Sequence, residues 1–227
     1  MSRVCGMRNV LRPTPNTWFQ VTSDSQKPLI ALLRLAYSAE LAAAYAYRGH
    51  WHSVTKAEER DRIQEIESEE WHHRKLVGDM LVKLGANPSH GRELRAAVVG
   101  RVLGFLCHFT GWLAPMYGAG RLESRNIREY ETAARHARDA GHDEFVDCLL
   151  TMAEVEWEHE KYFRSRVQLH NHGRRLALWL QPPPKEMIRQ AFAESGLSAT
   201  LGRDRASQAG EALEVPLEAV VISQHSK

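Results

Sequence analysis

The sequence predicts an all-α protein built on a bundle of four long helices. Apolar residues recur at intervals of three and four in four long segments, which is the spacing of one helical face. Period-two alternation does not recur and hairpin dipeptides such as Asn-Gly are missing, so strands are not expected. With 227 residues and 43% hydrophobic content, the chain can bury one core of roughly 150 to 170 residues.

The first two predicted helices form an antiparallel hairpin. Helix one begins at about Pro28, because proline suits the first turn of a helix, and it ends near Gly49. Helix two covers about residues 56–84. It is followed by Gly85 and Pro88, which together form a common helix stop.

The last two predicted helices repeat this arrangement. Helix three covers about residues 120–140 and is closed by Gly141, and helix four covers about residues 143–169. The connection between the two hairpins is unusual, because its residues 102–120 include no Asp, Glu, Lys or Arg. The predicted architecture is therefore a four-helix bundle with an apolar crossover segment between helices two and three.

Three parts of the chain are distinguished by composition. They are an irregular N-terminal arm (1–27), the bundle (28–172) and a peripheral or partly disordered tail (173–227) that contains Pro-Pro-Pro and several glycines. The arm lacks the uninterrupted apolar stretch of a secretory signal, and the three cysteines have no CxxC spacing, so a reducing, cytoplasmic compartment is expected. The net charge of +2 argues against nucleic acid as a partner.

Two helices carry a Glu-x-x-His motif on their apolar faces. On helix two, Glu70 and His73 occupy positions that the apolar pattern assigns to the core. On helix four, Glu156 and His159 do the same, and both motifs begin with Glu-Trp. One such motif could arise by chance, but two on equivalent apolar faces indicate a shared buried site.

Helices one and three each add a single glutamate to an apolar face. These are Glu40 and Glu123, and a tyrosine follows each of them seven residues later, at Tyr47 and Tyr130. Each single glutamate precedes a Glu-x-x-His motif by about one helical hairpin, so the chain is a duplicated unit. An antiparallel arrangement would bring all of these side chains to one level, facing inward.

Four carboxylates in an apolar interior require compensating charge. An uncompensated buried ion costs several kcal/mol even after relaxation. Two divalent metal ions would balance four carboxylates, and mixed oxygen and nitrogen donors with open positions suit iron, or manganese, better than a closed zinc site. The sequence therefore predicts a two-metal centre, with two iron ions or alternatively manganese, held by six residues: Glu40, Glu70, His73, Glu123, Glu156 and His159.

Two local alternatives to these residues exist. Glu69 and His72 form a second Glu-x-x-His register in helix two, but their face is polar and is predicted to be solvated. In helix three, Glu129 and Glu131 are alternatives to Glu123, which is preferred because it has a tyrosine seven residues later, as the single glutamate of helix one does.

These motifs resemble those of the demethoxyubiquinone hydroxylase family of ubiquinone biosynthesis, over about residues 29–168. LRLAYSAE, EEWHHRKL, MYGAGRLESRNI and VEWEHE are similar to the four ligand helices of that family. The resemblance implies a ferritin-like, membrane-associated di-iron monooxygenase and assigns the same six metal ligands. It also implies a catalytic role for Tyr130 in handling protons and electrons near the quinone.

The resemblance implies that O₂ is activated and that a quinone-type or related lipophilic aromatic substrate is hydroxylated. Two departures leave the substrate open, because Ala36 and Tyr37 stand where the family usually has Asp-His, and Glu129 stands where it has a histidine. The alternative function is a non-hydroxylating ferritin-like metal protein that scavenges peroxide, or oxidises or stores iron. A metal-free helical scaffold is a third interpretation.

The apolar crossover segment allows three interpretations. It could be a surface-lying helix with Trp112 and Tyr117 at lipid headgroups, a crossover packed on the bundle, or a membrane span interrupted by glycine and proline. The expected location is accordingly the cytoplasm, peripheral on the inner face of the membrane. The oligomeric state stays open, and a homo-oligomer is compatible with the sequence.

Overall fold

The computed structural model describes residues 24–195, so most of the predicted arm and the end of the predicted tail lie outside the described residues. Every regular element in this part of the chain is helical, which confirms the all-α prediction. The elements are α1 Gln26–Ser53, α2 Ala57–Lys83, α3 His90–Leu106, α4 Leu113–Asp139, α5 Asp143–Leu169 and a 3₁₀ turn, Gly173–Arg175. Residues 186–195 are also helical.

The chain divides into two compact units, Met1–Ile188 and Arg189–Lys227. The bundle belongs to the first unit, and of the second unit the described residues 189–195 are helical. All features discussed below lie in the first unit.

Four of the helices form the bundle, as two hairpins. α1 packs on α2, and α4 packs on α5, while α1 also contacts α4 and α2 contacts α5. The core between them is apolar, and several of its side chains are fully buried: Leu33, Ile63, Ile66, Met116, Leu149 and Phe163.

The helix ends follow the predicted stops in two places and depart from them in two others. Gly85 and Gly141 end α2 and α4 with φ of 65° and 77°, the left-handed conformation that glycine adopts at low cost. α1 continues past Gly49 to Ser53, and α4 begins at Leu113, earlier than predicted. Pro115 does not prevent this, because the amides of a first helical turn have no partner within the helix.

The first part of the apolar crossover segment belongs to α3, a helix that packs on α1. α3 turns Gly100 and Gly104 toward α1, where an added Cβ at Gly100 would collide with the carbonyl of Ala42, and one at Gly104 would lie 2.7 Å from the carbonyl of Tyr45. Glycine thus allows the two backbones to approach closely. The chain then turns between α3 and α4, with Gly111 at φ 72°, so the segment is not one continuous helix.

The outer face of α3 is apolar and exposed. Phe105 is 63% exposed and Phe109, just beyond the helix, is 71% exposed. The polar atoms of the two aromatic residues expected at lipid headgroups have protein partners instead: the Trp112 indole donates to Glu59 at 2.6 Å, and the Tyr117 hydroxyl donates to the carbonyl of Ala177 at 2.8 Å.

Among the described residues, α1 is the helix with the length and apolar composition needed to cross a membrane. Half of its most apolar window is buried inside the bundle. Buried helices in the core of a helical bundle have the same composition, and α1 carries the buried Glu40. This finding is therefore weak evidence for a span.

Candidate metal centre

The bundle brings all six predicted ligand residues together in its core. α1 supplies Glu40, α2 and α5 each supply a glutamate and a histidine one turn apart, and α4 supplies Glu123. None of the six side chains is more than 3% exposed. Such burial of ionisable groups is rare in proteins unless they pair with each other or bind a metal.

The six residues form two overlapping groups that could each hold a metal ion. In each group, one ligand atom from every residue lies within 4.8 Å of the others. The first group is Glu40, Glu70, His73 and Glu156, and the second is Glu70, Glu123, Glu156 and His159. Glu70 and Glu156 belong to both groups, so these two carboxylates could be shared by two ions.

Several donor atoms in this cluster are buried without a hydrogen-bond partner. They are Glu40 Oε2, both carboxylate oxygens of Glu70, His73 Nδ1, Glu156 Oε1 and His159 Nδ1. An unpartnered buried polar atom is costly, and six in one place need an explanation. All six are oxygen or nitrogen atoms of the kind that coordinate iron or manganese, so the residues present fit a metal centre.

The two histidines approach carboxylates without the geometry of a hydrogen bond. His73 Nδ1 lies 3.0 Å from Glu156 Oε1, and His159 Nδ1 lies 3.3 Å from Glu70 Oε1. Two electron-pair donors that face the same point are the arrangement expected around a shared cation.

The pKa values of the four carboxyl groups also indicate that the cluster needs cations. Burial, together with the neighbouring carboxylates, raises the pKa of Glu70 and Glu123 well above the usual value. Burial also raises the pKa of Glu40. Burial would raise the pKa of Glu156 as well, but its contacts with Glu123 and the two histidines lower it well below the usual value. Four carboxylates at this density cannot all be charged unless positive charge is supplied.

The alternative register of α2 does not enter the cluster as a Glu-x-x-His pair. His72 is exposed, whereas Glu69 contacts the centre from outside, because its Oε2 lies 2.7 Å from Nε2 of His159. Arg62 lies 3.3 Å from the same carboxylate. The face predicted to be solvated is exposed at Glu65 and His72, while Glu69 is partly buried and also contacts His159. A carboxylate on the outer nitrogen of a histidine fixes the orientation and tautomer of its ring.

The other two alternatives lie outside the cluster. Glu129 pairs with Arg125 at 2.7 Å on the surface of α4, and Glu131 is only partly buried. Glu123 is the glutamate of α4 that points into the core.

Two tyrosines donate hydrogen bonds to the single glutamates, and each pair is formed between the two hairpins. The Tyr47 hydroxyl of α1 donates to Glu123 of α4, and the Tyr130 hydroxyl of α4 donates to Glu40 of α1. Burial and the nearby carboxylates raise the pKa of both tyrosines well above 10.0, so both hydroxyls stay protonated.

Asn126 is a further polar group of the site that the sequence pattern did not indicate. Its Nδ2 lies 3.1 Å from Glu123 Oε2 and 3.4 Å from Glu156 Oε2. One amide group therefore links two carboxylates of the second group. Its position three residues after Glu123, on the same face of α4, is a signal that could have found it.

Comparison with known proteins identifies the family. Searches of curated proteins and of solved structures found no match. The family model described as "Ubiquinone biosynthesis protein COQ7" matches residues 27–159, which is more than half of the chain and includes all six residues of the cluster. The chain therefore belongs to the COQ7 family of ubiquinone biosynthesis proteins.

Proposed function

We propose that this chain is a di-iron monooxygenase that hydroxylates a quinone-type or related lipophilic aromatic substrate at the membrane surface. Membership of the COQ7 family gives it a role in ubiquinone biosynthesis. The observation that carries the finer proposal is the buried cluster of four glutamates and two histidines, whose donor atoms converge without hydrogen-bond partners.

The six residues are proposed to hold two iron ions, or alternatively manganese ions. Bound iron would supply the redox chemistry that activates O₂. The protein contributes donor atoms at fixed positions and a surrounding core that excludes water, with Ile66, Met116 and Met152 at most 1% exposed. Such a dry pocket protects reactive chemistry from water and strengthens electrostatic interactions inside it.

Tyr130 is proposed as the catalytic residue that handles protons. Its hydroxyl donates to Glu40 and its ring lies edge-on to His73, with 6.0 Å between the ring centroids. Through the hydrogen bond, the hydroxyl proton of Tyr130 can be passed to the carboxylate of Glu40 and returned. Burial and the nearby carboxylates raise the pKa of this hydroxyl, so at neutral pH it is protonated and serves as the hydrogen-bond donor to Glu40.

Contact with a membrane is proposed for the outer face of α3. A quinone with a long apolar tail resides in the bilayer, so an enzyme that takes it up needs an apolar contact surface. Val98, Val102, Leu103 and Phe105 of α3 are 47% to 63% exposed. An apolar surface of this kind marks a contact with lipid or with another protein.

The reaction is tested by profiling quinones in a host that lacks this gene. Reintroduction of the wild-type chain is expected to restore the quinone, while Glu70→Ala is expected to leave an unhydroxylated ring precursor. Glu129→Gln, which removes a surface carboxylate paired with Arg125, is the control and is expected to behave as wild type. A profile unchanged by loss of the gene would contradict hydroxylation and favour a non-hydroxylating ferritin-like protein.

The membrane contact is tested by vesicle flotation. Phe105→Ser combined with Phe109→Ser is expected to reduce binding to phosphatidylcholine vesicles. Val82→Ser changes an apolar side chain that is 73% exposed on α2, and it is expected to have no effect. Equal binding by all three proteins would contradict contact through α3.

A further inference from the structure

Residues 176–184, which we call the strap, follow α5 and lie beyond the residues matched by the family model. The strap is bound to both helices of the second hairpin. Tyr117 of α4 donates its hydroxyl to the carbonyl of Ala177 at 2.8 Å, and Trp157 of α5 donates its indole N–H to the carbonyl of Pro183 at 2.8 Å. The strap therefore has specific contacts along α4 and α5.

The central contact of the strap is the side chain of Trp179. Its indole packs so closely on Gly120 that a Cβ at that position would collide with the ring, and it packs against the core cluster that contains Phe163 and Tyr47. Its Nε1 donates to Glu160 at 2.6 Å. Glu160 is 2% exposed and also accepts from Arg164, at 2.7 Å from Nε and 2.6 Å from Nη2. The indole is thus held by both packing and a buried hydrogen bond.

The core cluster on which Trp179 packs extends to the metal centre through Phe163 and Tyr47. Phe163 stacks on Tyr47 with 5.7 Å between the ring centroids and 6° between the ring planes. Tyr47 in turn donates its hydroxyl to Glu123. Loss of the indole would therefore remove packing from the cluster that holds the Tyr47 ring.

Two shorter connections lead to the same part of the centre. Glu160 directly follows His159 in α5, and Gly120 lies one turn before Glu123 in α4. Two partners of Trp179 therefore lie beside the two residues that occur only in the second of the two metal-binding groups. The residues that occur only in the first group, Glu40 and His73, are contacted by Tyr130 instead.

We infer that Trp179 is a positioning residue for the metal position formed with Glu123 and His159. This inference rests on the proposed two-metal centre and adds to it an asymmetry between the two ions. Because the contacts lie beside one group of ligands, loss of the indole should weaken the binding of one ion much more than that of the other. A residue that only stabilises the bundle would affect both ions alike.

The test is a calorimetric titration of the full-length chain with Fe²⁺ under anaerobic conditions. The wild type is expected to bind two ions. Trp179→Ala is expected to weaken the binding of one ion by about ten-fold, which is the lower end of the effect of residues that support metal ligands. The affinity for the other ion is expected to change by less than about two-fold. Trp179→Phe keeps the ring but removes the hydrogen bond to Glu160, so we expect a smaller change of the same kind.

Two controls separate positioning from general stability. Leu180→Ala changes an 81% exposed side chain of the same strap and should leave both ions as in wild type. Leu81→Ala opens a cavity in the core of α2, so it should lower the melting temperature without separating the two affinities. If Trp179→Ala fails to fold, Trp179→Phe provides the comparison.

The possible results are distinct. Selective weakening of one ion supports the inference. Unchanged binding in both tryptophan variants, or equal weakening of both ions, would overturn it while the proposed function stands. Binding of fewer than two ions by the wild type would overturn the two-metal centre and this inference together.

Discussion

The two hairpins supply the same ligand pattern to the centre but surround it differently. Each hairpin gives one glutamate, one Glu-x-x-His motif and one tyrosine. In the first hairpin Glu69 precedes the motif and contacts His159, while the equivalent position in the second hairpin is Val155. Asn126 is a support that only the second hairpin has. It contacts two carboxylates, and its equivalent in α1 is Ala43.

This comparison shows that the ligands and their supports are under different constraints. A two-metal centre in a bundle takes donors from all four helices, and the duplicated pattern supplies them from both hairpins. The groups behind the donors only have to orient them, and several arrangements do that equally well. In this chain the supports are concentrated on Glu123 and His159, so the two proposed metal positions have different surroundings.

The largest expected effect is the loss of a carboxylate shared by both groups. Glu156→Ala is expected to reduce bound iron from about two ions to less than about one per chain, because it removes a donor from both positions. The measurement is elemental analysis of reconstituted protein. Glu129→Gln serves as the control, and full iron content in Glu156→Ala would contradict a shared role.

The first hairpin also carries a buried histidine that should make the stability of the bundle depend on pH. His50 of α1 is buried against Tyr47 and Phe163, and burial lowers its pKa from 6.5 to about 4; the equivalent residue of α4 is Ala133. In the unfolded chain His50 is therefore protonated below about pH 6.5, but in the folded chain it is protonated only below about pH 4. As the pH falls from 6.5 to 4, this difference lowers the free energy of unfolding. The difference corresponds to about 3 kcal/mol.

His50→Phe keeps an aromatic ring but cannot take up the proton. Between pH 6.5 and pH 4, the free energy of unfolding of the His50→Phe variant should therefore decrease by about 3 kcal/mol less than that of the wild type. Urea denaturation at a series of pH values measures this difference. Parallel pH profiles for the two proteins would show that His50 is not responsible.

The two tyrosines allow the hairpins to be compared directly in catalysis. Tyr130→Phe is expected to lower turnover by about 100-fold, the size of effect typical of a lost proton-transfer group, with little change in iron content. Tyr47→Phe should lower turnover much less. Steady-state hydroxylation by iron-loaded protein measures both, and a larger effect at Tyr47 would reverse the roles proposed for the two hairpins.

The smallest expected effect comes from the support that only the first hairpin supplies. Glu69→Ala should weaken metal binding by about ten-fold, because His159 loses the carboxylate that orients its ring. Glu69→Gln keeps an acceptor oxygen and should recover part of the affinity. His72→Gln, which changes an exposed neighbour, is the control for these metal titrations. Equal affinities in all of these proteins would show that Glu69 does not support the centre.

Much of the fold could be predicted from local patterns. The three-and-four spacing gave the four bundle helices, and the glycines at 85 and 141 marked the ends of α2 and α4, because both signals act over a few residues. The start of α4 was missed, and the sequence left three interpretations of the crossover open. The structure shows α3 packed on α1 through Gly100 and Gly104, and Pro115 in the first turn of α4.

The sequence by itself determined which glutamates and histidines lie on the apolar faces of the helices, because a helix repeats its faces at a fixed interval. Only the tertiary structure decided which groups contact them. Tyr47 lies seven residues from Glu40, about 10 Å along the same helix, so it is too far away to bond to it and reaches Glu123 of another helix instead. The contact of Glu69 with His159 likewise joins residues 90 positions apart. Such contacts depend on how two helices are set side by side, and no local spacing encodes that.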